Sequence, residues 1–167
     1  LADNFGMDAL RMALLVGNTP GGDMSLSEEK VRAYKKFVNK LWNIARFVFE
    51  NTSTDDVVSA DMFAVQETKL EETKKEIGKH IESYQLHLAA EAVYHYVWHH
   101  FADVVIEEVK KVLQDPAVSE EEKKKQRVYL RSSFEGVLKI AHPFIPFVTE
   151  QIWEDMGKSE LLMVAEW

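Results

Sequence analysis

The sequence predicts an all-α fold, an up-and-down bundle of four to five main helices. Residues 27–51 repeat apolar side chains with the period of a helix that buries one wide face. Two more long apolar segments, residues 87–114 and 120–141, are separated by Asp115-Pro116 and by a capping box that starts at Ser119. We find no internal repeat, low-complexity tract or parallel-sheet pattern, so helices must supply the core.

Composition limits the classes of protein to consider. A chain of 167 residues is long enough for one domain with its own core. It contains no cysteine, which excludes disulfides and thiolate metal sites, and it has no cleavable signal and no apolar run near the length of a membrane span. We therefore expect a soluble, cytoplasmic protein. The net charge of −8 argues against non-specific coating of nucleic acid, which requires many Lys and Arg side chains.

The first segment predicts a short, strongly apolar helix over residues 7–16, followed by a loop in which Pro20-Gly21-Gly22 breaks the periodicity. The chain starts without Met, directly before this apolar helix, and its last residues add no closing element. We expect from both ends that the chain was cut from a longer protein.

The helix over residues 27–51 is the element around which we expect the fold to be organised, capped by Ser25 with Glu28 or by Ser27. Its predicted core face consists of Tyr34, Val38, Leu41, Ala45 and Val48, flanked by Val31, Phe37, Ile44 and Phe49. The opposite face carries Arg32, Lys36, Asn39, Asn43 and Arg46, with Phe47 among them. Trp42 falls between the two faces and is predicted to belong to the core.

That polar face has two interpretations. Its cations and amides suit an RNA backbone, and an aromatic ring among them suits base stacking. Between Lys30 and Arg46 there are six basic residues and no acidic one, so the charge is locally positive. Alternatively, Phe47 packs against another helix of the bundle and has no role in binding.

The remaining elements follow in order. Residues 61–82 predict a highly charged helix at the edge of the bundle, and residues 87–114 predict a central helix. After the helix over residues 120–141, a kinked linker leads to Pro146, which suits the first turn of a last helix ending at Gly157. The tail 161–165 is predicted to be either an edge strand or an extended segment.

Four candidate metal ligands recur at four-residue spacing on the third long helix. These are Glu91, His95, His99 and Asp103. Neighbouring members of such a series can share a metal ion. No matching pair of ligands occurs elsewhere, and the alternative is a polar seam of hydrogen-bonded surface residues. We find no nucleophile elbow, Walker loop, dinucleotide-binding glycines or paired catalytic carboxylates, and so predict no catalytic residue.

Several motifs together resemble valyl-tRNA synthetases. Those that follow the family's KMSKS loop are Phe5-Gly6-Met7-Asp8-Ala9-Leu10-Arg11, Thr19-Pro20-Gly21-Gly22-Asp23 and Asn39-Lys40-Leu41-Trp42-Asn43 with Ala45-Arg46-Phe47. Residues 94–103, with Glu107, resemble the family's third bundle helix. The segment 142–153, which begins His-Pro-Phe-Ile-Pro, is similar to a closing motif shared with the leucyl and isoleucyl enzymes.

This resemblance implies that residues 1–24 end the segment that links a catalytic domain, and that residues 25–167 form the anticodon-binding bundle. The chain has neither a KMSKS nor a HIGH-type motif, so we expect it to be inactive alone. The implied partners are the anticodon stem-loop of tRNA(Val) and the catalytic domain of the same parent chain, with no membrane. ATP and Mg²⁺ are implied for the parent enzyme only, and no cofactor or metal is expected in this fragment.

By the same resemblance, Phe47 occupies the position that stacks on anticodon bases. Arg46 and Asn43 are the leading residues for phosphate or base-edge contacts, with Lys36, Asn39 and Lys40 after them. Glu28 and Glu29 replace basic residues that some relatives carry, which weakens the case for contacts at the start of the helix. The alternatives are a leucyl- or isoleucyl-type anticodon domain, a metal-binding bundle around His95 and His99, and a bundle that docks other protein domains.

Overall fold

The computed structural model describes residues 1–17, 21–23, 25–53 and 68–167, and within these ranges the secondary structure is helical, with no strand. The helices are α1 Ala2–Phe5, α2 Met7–Leu15, α3 Glu28–Asn51, α4 Thr68–Glu82, α5 Leu86–His95, α6 Ile106–Gln114, α7 Glu120–Ala141 and α8 Pro146–Asp155. The predicted all-α bundle is confirmed. The start of the predicted helix over 61–82 lies outside the described residues.

Helix α3 begins where the sequence predicts. The Ser27 Oγ accepts a hydrogen bond from the Lys30 backbone N–H at 3.2 Å, which satisfies one of the donors left open at a helix start. At the other end, the Thr52 N–H and Oγ1 both donate to the Val48 carbonyl. The face predicted to be apolar is the buried one, and its fully or nearly fully buried members are Val31, Phe37, Leu41, Ile44, Ala45 and Val48.

The third long helix is not the uninterrupted α-helix that the sequence predicts. Between α5 and α6, the segment Tyr96–Val105 is a π-helix, and it passes into α6 where the Ile106 N–H donates to the Phe101 carbonyl five residues earlier. Residues Phe101 and Val105 are buried within it. Asp103 of this segment lies 3.6 Å from the Nζ atom of Lys40 on α3, at the border of the surface described below.

The core is dominated by α7, whose apolar residues pack against every long helix around it. Phe134 stacks on Phe101 of the π-helical segment with ring centroids 6.0 Å apart, and both rings are fully buried. Ser119 caps α7 as predicted, accepting a hydrogen bond from the Glu122 N–H. Within the described residues, no buried side-chain nitrogen or oxygen lacks a hydrogen-bond partner.

Two glycines in helix interiors are expected to respond oppositely to alanine. A Cβ at Gly136 would lie 2.5 Å from Leu70 Cδ2, whereas a Cβ at Gly78 would meet only Trp167 Cζ3, at 3.8 Å. Gly78→Ala should raise the free energy of unfolding by about 0.5–1 kcal/mol through helix propensity. Gly136→Ala should lower it by about 1 kcal/mol, because moving buried Leu70 outweighs that gain. Urea unfolding measures both, and a stabilised Gly136→Ala variant would contradict this account of the α4–α7 contact.

Hydrogen bonds join helix α2 to the start of α8. The buried Asp8 carboxylate accepts hydrogen bonds from the Phe147 N–H at 3.2 Å and the Val148 N–H at 2.7 Å. Arg11 donates to the carbonyls of Phe144 and Pro143. Burial raises the pKa of Asp8, although the two backbone N–H groups and the Arg11 guanidinium oppose that rise. The Asp8 carboxylate therefore serves as the N-terminal cap of α8 from a distant part of the chain.

The C-terminal tail departs from the prediction. Leu162–Val164 forms a 3₁₀ turn, not an edge strand. Leu162 is buried, and its N–H donates to the Glu150 carboxylate at 2.9 Å, while the Trp153 indole N–H donates to the Glu160 carbonyl. No strand in the described residues offers this tail a pairing edge, so side-chain burial decides its conformation.

Among the described helices, none combines the length and apolarity needed to span a bilayer.

The linker before α8 makes stability depend on pH. His142 Nδ1 lies 2.9 Å from the Thr149 hydroxyl, and burial lowers the pKa of this imidazole below 6.5 despite the nearby carboxylates of Glu150 and Asp8. A base with a lowered folded pKa binds fewer protons folded than unfolded, so stability is lost as pH falls through 6.5 and below. Denaturant unfolding between pH 7.5 and 5 should therefore show a steeper loss for the natural chain than for His142→Gln. Equal slopes would exclude His142 as the cause.

Candidate nucleic-acid interface

The side chains on the exposed side of α3 form a continuous polar strip. We define the polar strip as Arg32, Lys36, Asn39, Asn43 and Arg46, all of which are exposed. They follow one another every three or four residues, so they share one side of the helix, opposite the buried Leu41 and Val48. The strip thus offers cations and amides along about four turns of one rigid helix.

The C-terminal half of the strip is held in place internally. Arg46 Nη2 donates to Asn43 Oδ1 at 3.2 Å, so that the amide orients the guanidinium. A guanidinium has five N–H donors and pairs well with phosphate, while the amide of Asn43 keeps its own N–H donors for a base edge. At the other end, the Arg32 guanidinium lies 5.8 Å from the ring centroid of Phe5. This brings α1 to the edge of the strip.

Lys40, which is also a predicted RNA contact, lies at the border between α3 and the π-helical segment. Its Nζ is 3.6 Å from Asp103 Oδ1 and 5.4 Å from the ring centroid of Trp98. Asp103 is in turn 3.9 Å from the Nδ1 atom of His99. The ammonium of Lys40 is consequently paired with an acidic side chain of the protein, and would have to leave Asp103 to reach a phosphate.

Phe47 is half-buried and packs against the core cluster. The Lys110 Nζ lies 5.3 Å from the centroid of its ring, and that ammonium donates to Glu107 Oε1 at 2.7 Å. The hydrogen bond from Lys110 lowers the pKa of Glu107. A base stacking on this side of the ring would have to displace the ammonium. The predicted stacking role of Phe47 remains a prediction, and its surroundings also fit the packing interpretation.

Trp42 is the residue that sequence reasoning placed wrongly. It was predicted to be in the core, but its side chain is 38% exposed, the only large apolar residue of α3 that is exposed. On a helical projection it stands beside both Val38, which faces inward, and Arg46, which faces outward. Periodicity alone therefore does not determine on which face of α3 Trp42 lies. Its position next to Asn43, a residue of the polar face, is the signal in the sequence that favours the surface.

The four candidate metal ligands are not assembled into a site. Glu91 Oε1 accepts a hydrogen bond from the Gly17 N–H at 3.1 Å, and the rings of His95 and His99 stack with centroids 5.6 Å apart. Throughout the described ranges, no group of three or more His, Asp or Glu side chains is placed to hold a metal ion. These side chains therefore match the alternative, a seam of polar contacts.

Comparisons with known proteins agree with this architecture. Residues 66–167 match the family described as the anticodon-binding domain of tRNA ligase. The chain is 35% identical to a valine–tRNA ligase of Aquifex aeolicus over 96% of its length, and 37% identical to one of Pelagibacter ubique over all of it. It spans only 15% and 20% of those two relatives.

A solved structure shares the fold. It is the LeuRS of Agrobacterium radiobacter in a ternary complex with tRNA and LeuAMS, which superposes on 99% of this chain and 20% of that chain with a TM-score of 0.71 and 15% sequence identity. At this identity the likeness concerns the fold alone. The family match covers more than half of the chain and includes α4 to α8. The chain therefore belongs to the anticodon-binding domain family of tRNA ligases.

Proposed function

We propose that this chain is the tRNA recognition module of a valine–tRNA ligase, and that it binds the anticodon stem-loop of tRNA(Val) along the polar strip of α3. The observation that carries the proposal is the strip itself, a row of exposed cations and amides on a rigid helix. Support also comes from relatives named valine–tRNA ligase, which are 31–37% identical to it.

The chemistry of the strip suits a single-stranded loop. Arg32, Lys36 and Arg46 supply positive charge for phosphates, and Asn39 and Asn43 supply donors and acceptors for base edges. Lys40 joins them if a phosphate replaces Asp103 as its partner. The acidic excess of the chain lies outside residues 30–46, so the strip presents local positive charge in spite of the net charge of −8.

In this proposal the module does positioning and no catalysis. Binding energy from the anticodon loop holds the other end of the tRNA in register for the catalytic domain of the parent chain. ATP and Mg²⁺ act in that catalytic domain, and none of the residues described above is assigned a role in the reaction. We propose that the parent enzyme works in the cytoplasm.

The direct test is binding of this chain to a tRNA(Val) anticodon stem-loop at low and moderate salt, beside a stem-loop with an altered anticodon. We expect preference for the tRNA(Val) loop and weaker binding as salt rises, because phosphate contacts release counterions. Equal affinity for both loops would contradict anticodon recognition. Absence of binding even at low salt would contradict the RNA-binding function and favour a bundle that docks protein domains.

Arg46 is expected to contribute strongly to binding. Arg46→Ala should weaken binding of the stem-loop about tenfold and reduce the salt slope by about one. Lys75→Ala, which removes an exposed cation on α4 away from the strip, is the matched control and should bind normally. Fluorescence anisotropy of labelled RNA measures both variants. If the Arg46 and Lys75 variants lose affinity equally, the effect is general charge and the strip is not the site.

A further inference from the structure

Trp42 lies in an unusual position for a tryptophan of this bundle. The other three each have a partner: Trp98 stacks with Tyr94, Trp153 donates to the Glu160 carbonyl, and Trp167 donates to the Lys139 carbonyl. In the part of the chain that the structure describes, the Trp42 indole N–H donates no hydrogen bond, and its ring pairs with neither another aromatic ring nor a cation. An exposed tryptophan without such contacts is a ring free for an external partner.

The neighbours of Trp42 suggest the chemistry of that partner. Asn39 lies three residues before it, Asn43 is adjacent, and Arg46 lies four residues after it, so all three belong to the same side of α3. The pair of Asn43 and Arg46 is already joined by its hydrogen bond of 3.2 Å. A flat apolar ring beside a guanidinium and two amides matches a nucleotide, which has a flat base, a polar base edge and a phosphate.

The two aromatic residues next to the strip differ in the solvent exposure of their rings. Trp42 and Phe47 are five residues apart, which places them about 140° apart around α3, one at each edge of the strip. The Phe47 ring is half-buried and lies beneath the Lys110 ammonium. The Trp42 ring is 38% exposed, and indole has the largest stacking surface of the aromatic side chains.

We propose that Trp42 is a base-stacking residue of the polar strip, on which an unpaired nucleobase of the bound RNA lies. This inference rests on the function proposed above and adds to it the residue that supplies the stacking surface. Stacking on an aromatic side chain tolerates any base, because every base has a π-face. Trp42 therefore contributes affinity, while Asn39, Asn43 and Arg46 provide contacts to base edges and phosphate.

The test uses Trp42→Ala, which removes the ring, and Trp42→Phe, which keeps a ring but removes the indole fluorescence. Circular dichroism first checks that each variant is folded. We expect Trp42→Ala to bind the anticodon stem-loop about tenfold more weakly, and Trp42→Phe to keep most of the affinity. We also expect RNA to quench tryptophan fluorescence in the natural chain and the quench to be largely lost in Trp42→Phe. This second readout does not depend on the alanine variant being folded.

Four results would overturn the inference. If Trp42→Ala binds normally while Arg46→Ala is weakened, Trp42 does not stack and the proposed function stands. If the natural chain does not bind RNA at low salt, the proposed function fails and the inference fails with it. If sedimentation shows a dimer that becomes a monomer in Trp42→Ala, the ring is a contact between two copies of the chain. A quench that persists in Trp42→Phe arises from another tryptophan and also counts against the inference.

Discussion

Phe134→Ala is expected to lower the free energy of unfolding by about 3–5 kcal/mol. The ring is fully buried in α7 and stacks on Phe101 at 6.0 Å, so its removal loses transfer free energy and leaves a cavity between α7 and the π-helical segment. For a protein whose total stability is of order 5–15 kcal/mol, this is a large part of the free energy of unfolding. Urea unfolding followed by circular dichroism measures the loss.

The control for this substitution is Phe147→Ala. The Phe147 side chain is 62% exposed on α8, so the same chemical change should alter the free energy of unfolding by no more than about 0.5 kcal/mol. A large loss of unfolding free energy at both positions would show that the burial of the ring does not determine the effect. A small loss at Phe134 would mean that the core repacks and that the central contact between α7 and the π-helical segment is wrong.

Asp8→Ala is expected to lower the free energy of unfolding by about 2–3 kcal/mol. Its carboxylate accepts from the Phe147 and Val148 N–H groups, and Val148 is buried, so both donors lose a charged acceptor at the start of α8. Because the hydrogen bonds link α2 to α8, the loss should be visible locally as well as globally. Amide hydrogen exchange at Val148 should become faster relative to amides in the middle of α7.

The matched control for that variant is Asp3→Ala, which removes an exposed carboxylate from the short helix α1. It should leave both the unfolding free energy and the exchange rate of Val148 nearly unchanged. Asp8→Asn, which keeps one acceptor oxygen, should fall between the natural chain and Asp8→Ala. If Asp8→Ala is as stable as Asp3→Ala, the carboxylate does not cap α8.

Much of the fold could be predicted from the sequence because local rules and burial agree. The cap at Ser27 and the buried face through Leu41, Ala45 and Val48 follow from helical period, and Ser119 starts α7 as its capping box indicates. The π-helical turns could not be predicted, since the buried Val97, Phe101 and Val105 recur every four residues, as a plain α-helix also allows. No glycine or proline marks this segment.

The candidate site could be predicted as a surface but not in its details. The exposed positions of Lys36, Asn39 and Asn43 follow from facing away from the core, which periodicity reveals. The surroundings of Phe47 depend on Lys110, more than sixty residues later in the chain, and those of Lys40 depend on Asp103. Such contacts depend on how the helices pack against one another, and the spacing of residues along one helix does not predict them.

The number of residues in the π-helical segment affects how α6 is oriented in this protein. Each of its turns closes with a hydrogen bond to the fifth residue back, one residue more than in an α-helix. Deleting a residue there is expected to turn α6 about its axis relative to α5, because each residue of a helix advances by about 100°. Lys110 would then leave Phe47. The number of residues between Tyr96 and Val105 thus determines the rotation of α6 about its axis, and so which side chains of α6 contact α3.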